Sequence, residues 1–156
     1  MHALRRVTRQ FLWVSSLGAA AFLAAACAQT ASPPAGPSTT SSSGSNVILS
    51  GQQEAPPVST AATGSGTITI LMDRSVSGSV MTSGVAGTAA HIHMAAPGQN
   101  GPVIIPLNRT GDNVWSVPPS IRLNDAQYEA FRLGNLYVNV HSAANPNGEI
   151  RGQVTP

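Results

Sequence analysis

The sequence predicts an all-β domain, an antiparallel Greek-key sandwich or barrel with one short helix near 124–133. Three observations lead there. Short runs of alternating apolar and polar residues recur along 46–154, each bounded by Gly, Pro, Asn or Ser. One stretch alone, LNDAQYEAFRLGN (123–135), carries helix signals instead. The stretch 46–156 is long enough for one two-layer core, and with one cysteine in the chain no internal disulfide can staple it.

The elements follow in order. NVILS (46–50) reads as a first strand. GQQEAPPVST (51–60) reads as a loop, because Pro56 and Pro57 remove ladder donors. GSGTITILM (64–72) alternates, with Ile68 and Ile70 on one face and Thr67, Thr69 and Leu71 on the other. SVSGSVM (75–81) alternates again, and Asp73-Arg74 between the two reads as a tight hairpin. TAAHIHM (88–94) is the next strand, followed by the turn cluster APGQNG (96–101). PVIIPL (102–107) has proline at or near both ends, which suits a sheet edge or a bulge. NVWSV (113–117) is a short strand. In the helix segment, Asn124 is the N-cap and Gln127 its capping-box partner. Gly134 suits the left-handed stop, and Leu123, Tyr128 and Phe131 point to the core. YVNVH (137–141) and GEIRGQV (148–154), joined by SAANPN (142–147), read as a closing hairpin.

The N-terminus has another purpose. Arg5, Arg6 and Arg9 precede an apolar run from Phe11 to Ala26, the layout of a secretory signal over residues 1–26. Cys27 ends that run and resembles the lipidated cysteine of bacterial lipoproteins, although Ala24 stands where an aliphatic residue is usual. The alternative is an ordinary signal peptide cut near Ala26. The expected location is therefore the cell envelope, lipid-anchored, in the outer membrane of a Gram-negative cell, or otherwise secreted. Residues 28–45 are a Pro/Ser/Thr/Gly tether with too little apolar content to fold. Beyond it lies the domain, 46–156. Without residues 1–26 the chain keeps five arginines against six acids and has no lysine, so no basic stripe remains for a nucleic-acid partner.

Alternation also sorts the faces. Tyr137, Asn139 and His141 share one side of their strand, opposite Leu136, Val138 and Val140. Glu149, Arg151 and Gln153 share a side of the next, so the hairpin brings His141 near Glu149 and Asn139 near Arg151. His91 and His93 lie together, opposite Ile92. Side chains two apart on a strand are about 6.5–7 Å apart, so two imidazoles can converge on one ion and His141 can supply a third. Imidazole suits copper or zinc, and Glu149 would act as a further ligand or fix a ring. The competing reading is an ordinary polar strand face, with histidines bonded to neighbours and Glu149 and Arg151 forming an ion pair. Glu54, in the Pro-rich loop, would tie that loop to the sheet. No nucleophile-elbow, Walker or dinucleotide motif is present.

Several motifs coincide in order: LSGQQEAPPVSTAATGSG (49–66), AHIH (90–93), NGPVIIPL (100–107) and LGNLYVNVHSAANPNGEIRGQV (133–154). Together they resemble the CHRD domain, the module named after chordin. The family's recurring histidines correspond to His91, His93 and His141, and its recurring acidic and basic residues to Glu149 and Arg151. Met94 and Ser142 depart from its common glycine and threonine. The resemblance implies a non-catalytic binding or structural role with a protein or other ligand. Chordin's cysteine-rich repeats are absent, so its capture of growth factors is not implied. A looser similarity is to copper–zinc superoxide dismutase, a Greek-key protein with a His-x-His strand. That copper site uses four histidines, and the chain beyond the signal has three. Three readings therefore stand: a binding or structural module with no cofactor, a copper or zinc site, and a copper redox enzyme.

Overall fold

A computed structural model describes residues 44–156. The expected signal segment, Cys27 and the tether up to residue 43 lie outside the described residues. The strands are β1 (Gly44–Ser50), β2 (Thr63–Ile70), β3 (Val76–Ser83), β4 (Gly87–Met94), β5 (Val103–Pro106), β6 (Asn108–Gly111), β7 (Val114–Ser116), β8 (Leu136–Ser142) and β9 (Ile150–Val154). A 3-10 turn, Gly51–Gln53, follows β1, and α1 (Asp125–Arg132) precedes β8.

All pairings are antiparallel, and the nine strands form one sheet in the order β5-β4-β8-β9-β1-β2-β3-β7-β6. Its two edge strands, β5 and β6, are consecutive in the chain with only Leu107 between them. The two ends of the sheet must therefore meet, and the sheet curls into a nearly closed barrel, which leaves little exposed edge. Inward alternate residues fill it: Val47 and Leu49, Ile68 and Ile70, Val80, Ala90 and Ile92, Val138 and Val140, Ile150 and Val154 are all buried. Trp115, Leu123 and Phe131 extend this core, with Tyr128 packed against it.

Local chemistry explains the joints. The β2–β3 turn closes through Arg74 N–H to the Leu71 carbonyl (2.8 Å), while Asp73 accepts from the Ser75 backbone N–H and hydroxyl. Asn124 and Gln127 form the full capping box, and Gly134 ends the helix at φ +72°. Proline-flanked β5 is an edge strand, and its pairing with β4 slips at Ile92/His93.

Two boundaries differ from the sequence expectation. β1 begins at Gly44, so the tether's last two residues belong to the domain. Ser45 is buried there and donates its hydroxyl to the Thr155 carbonyl. β6 was not expected at all. Its residues, NRTG, are all exposed and carry no apolar alternation. Only its pairing with β7, Asn108 to Ser116 and Arg109 to Trp115, makes it a strand.

Candidate functional site

A shared site requires the His-x-His strand to lie beside the strand bearing His141. It does: β4 pairs with β8, with Ala89 opposite His141, His91 opposite Asn139 and His93 opposite Tyr137. His91 and His141 are diagonal neighbours, a separation aromatic side chains span. One ligand nitrogen from each of His91, His93 and His141 falls within 4.8 Å of the other two. The His91–His141 ring centroids are 4.8 Å apart and the His91–His93 centroids 5.6 Å.

Backbone carbonyls orient two of the rings. His93 Nδ1 is 2.9 Å from the Gly101 carbonyl oxygen, and His141 Nδ1 is 3.0 Å from that of Pro146. A carbonyl only accepts, so each Nδ1 carries a proton and donates it. In the neutral rings each Nε2 then carries a lone pair, open at His93 and facing His91 at His141. This is the arrangement in which outer partners fix the tautomer of metal-binding histidines. His91 Nδ1 lies 3.0 Å from His141 Nε2 and donates to it. His93 Nε2 is buried and makes no hydrogen bond. Asn139 is close enough to favour a proton on that ring, but its own Oδ1 is also buried without a partner.

The electrostatics disfavour protonation. Burial lowers the His91 pKa below its ordinary value, helped by the neighbouring charges of His141 and then His93. Burial also dominates at His93; the Gly101 carbonyl and Asn139 pull its pKa back up, while His141 and Arg151 push it further down. These rings are held neutral, the form that binds metal.

Beside the histidines, the same sheet face is buried under loops. Tyr137, on the middle strand, stacks on His93 with centroids 4.8 Å apart and planes 9° from parallel. Arg151, on the other flanking strand, places its guanidinium carbon 3.4 Å from the Tyr137 ring centroid. Arg151 is 1% exposed and donates to the carbonyls of Gln99 (2.8 Å) and Ala96 (3.1 Å). The expected Glu149–Arg151 ion pair does not form. Glu149 lies just before β9; Arg151 turns to the 95–101 loop while the Glu149 carboxylate accepts from the Thr60 hydroxyl at 2.8 Å. His141 takes its ring partner from Pro146, not from Glu149. Hydrogen bonds from Ser142, then Thr60 and Asn145, hold the Glu149 carboxyl below its ordinary range despite its burial.

Glu54 does face the sheet. It is buried, with Oε1 unpartnered, and it meets the Asn139 amide at Gly148. Burial raises its pKa, opposed by Arg151, the Ala55 backbone N–H and the Asn139 amide. Gly148 has φ +132°, and a Cβ there would overlap the Glu54 carboxyl, so this junction requires glycine.

His91, His93, Asn139, His141, Arg151 and Glu54 thus sit on one face. Sequence reasoning missed the carbonyls of Gly101 and Pro146, because a backbone acceptor leaves no residue signature. The Gly-Pro and Asn-Pro turns beside the strands were the only available signal. Thr60 was likewise missed.

The model of the CHRD domain matches residues 45–154, almost all of the described residues. The chain belongs to the CHRD domain family. No curated protein and no solved structure matches it. Within this CHRD domain, the motifs that carried the resemblance surround the site: AHIH is on β4, and the long C-terminal motif spans β8 and β9. LSGQQEAPPVSTAATGSG begins on β1 and supplies the loop bearing Glu54 and Thr60.

Proposed function

We propose that this CHRD domain is a lipid-anchored, extracytoplasmic module without catalytic activity, whose ligand at the β4–β8 face is a transition-metal ion. The observation that supports the metal reading is the convergence of three imidazole nitrogens, within 4.8 Å, with two rings oriented by backbone carbonyls. An orphaned His93 Nε2 gives the buried ring an unmet need that a metal would fill. Copper and zinc are the ions such a ligand set suits. The anchored location rests on Arg5, Arg6, Arg9, the apolar run after them, and Cys27.

Two experiments test this. The processed chain, purified without a polyhistidine tag, should bind about one equivalent of copper or zinc and melt higher with it. Metal at about 100 times its Kd stabilises a fold by about 2.7 kcal/mol. A variant with all three histidines changed to alanine should lose both effects, and an equal shift in that variant would refute the site. Cys27→Ser should release the protein from membranes. A variant that stays membrane-bound would remove the anchor from the proposal.

A further inference from the structure

A closed zinc site has four protein ligands, and a catalytic one has three plus a position open to water or substrate. Three histidines alone would leave that position open. The sheet places one more donor among them. Asn139 lies opposite His91 in the β4–β8 register and two residues before His141 on the same face of β8. Asn139 is 2% exposed and His93 is 8% exposed.

The polar atoms of this pair lack the same thing. His93 Nε2 and Asn139 Oδ1 are both buried without a hydrogen-bond partner. With Nδ1 protonated against the Gly101 carbonyl, His93 Nε2 carries a lone pair. An amide oxygen is an acceptor as well. Two acceptors cannot satisfy each other, whereas one bound cation satisfies both.

The amide is also held the right way round. Asn139 Nδ2 and the Glu54 carboxyl both abut the position that a Gly148 Cβ would take. A carboxylate accepts, so it faces the amide nitrogen and leaves the oxygen on the other branch. Asn139 favours a proton on the His93 ring, which an acceptor does and a donor does not, so the oxygen faces that ring.

We infer that Asn139 is a fourth ligand of the His91–His93–His141 metal site, through Oδ1. The inference rests on the metal reading above. An amide oxygen serves as a weak axial donor in some copper sites. With Asn139 in place the ion has no open position, so the site holds β4 to β8 and performs no chemistry on a substrate.

The test uses the full processed chain without a tag. Zinc(II) is titrated against a chromogenic chelator for affinity, and cobalt(II) is bound for its visible bands, which report its ligands. The triple histidine-to-alanine variant is the blank. Azide should leave the wild-type cobalt bands unmoved, because no position is open to it. Asn139→Ala should weaken zinc at least about tenfold, the loss typical of even an outer-shell partner, and should let azide shift the cobalt bands. If that variant does not fold, Asn139→Asp, which keeps the side chain's shape, takes its place: a carboxylate among the ligands should move the cobalt bands. Wild-type bands that respond to azide overturn Asn139 as a ligand and leave the three-histidine site standing. So do cobalt bands and zinc affinity that the substitutions leave unchanged. Binding that does not depend on the histidines, or none at all, overturns the metal reading itself.

Discussion

The outward faces of β1–β2–β3 and of β4–β8–β9 belong to the same sheet, yet they are opposite environments. On the first, Asn46, Ile48, Ser65, Thr67, Ser77 and Met81 are exposed, and the three strands contain no ionisable side chain. On the second, the outward residues His93, Tyr137, Asn139 and Arg151 are buried, and β8 is buried on both sides. The loops after β1 and β4 make the difference: they close over one outer face and leave the other open. Alternation says which residues point away from the core. It does not say whether water meets them there.

The largest expected effect comes from removing the centre of the covered face. Arg151→Ala removes the donors to the Gln99 and Ala96 carbonyls, deletes the contact with Tyr137 and leaves Glu54 beside no cation. It should cost about 3–5 kcal/mol in urea unfolding. A cost under about 1 kcal/mol would mean that water reaches this face and that the contrast is false.

A smaller loss is expected at the hinge of the cover. Gly148→Ala introduces a side chain at φ +132° against the Glu54 carboxyl and the Asn139 amide. Strain of about 1–3 kcal/mol per residue is typical of such positions. The β8–β9 turn also holds Pro146, so the same variant should displace His141 and weaken metal binding along with stability. Loss of stability with metal affinity unchanged would separate the turn from the site.

Legibility in the sequence followed the same divide. Strands whose two faces differ, such as NVILS and TITI, announced themselves by alternation, and their inward residues are the core. The helix was readable because Asn124 and Gln127 sit three apart and Gly134 follows, a local code that needs no tertiary context. β6 was invisible because NRTG is held by its neighbour rather than by an apolar face. For the site, alternation put His91 with His93, and Tyr137 and Asn139 with His141. The pairing of β4 with β8 is a long-range event that no local pattern encodes. Burial of Arg151 was unreadable for the same reason: its partners, Ala96 and Gln99, offer carbonyls from a distant loop.

The pH dependence of the metal-free protein should also come from the covered face. His91 and His93 titrate below the ordinary imidazole value of about 6.5 in the fold, chiefly through burial. Between the depressed values and 6.5 the unfolded chain binds more protons, so stability rises with pH across that window. Acidification from pH 7 should therefore lower the melting temperature, beginning near 6.5 and levelling off below the folded pKa values. His91→Gln with His93→Gln should flatten that slope. An undiminished slope in the double variant would place the titrating groups elsewhere.

The smallest effect belongs to the open face and is its control. Ile48 and Met81 are 58% and 62% exposed, and both lie opposite Ser65 across their strand pairs. Their side chains gain little from burial that the fold could lose. Ile48→Thr combined with Met81→Thr should change unfolding free energy by less than about 0.5 kcal/mol and leave metal affinity unchanged. Threonine keeps the β-branched shape a strand accepts, so a loss above about 1 kcal/mol cannot be blamed on propensity alone. Such a loss, especially if it grew with protein concentration, would show that a second molecule covers this face in solution. Both outer faces would then be buried, one by the chain's own loops and the other by association.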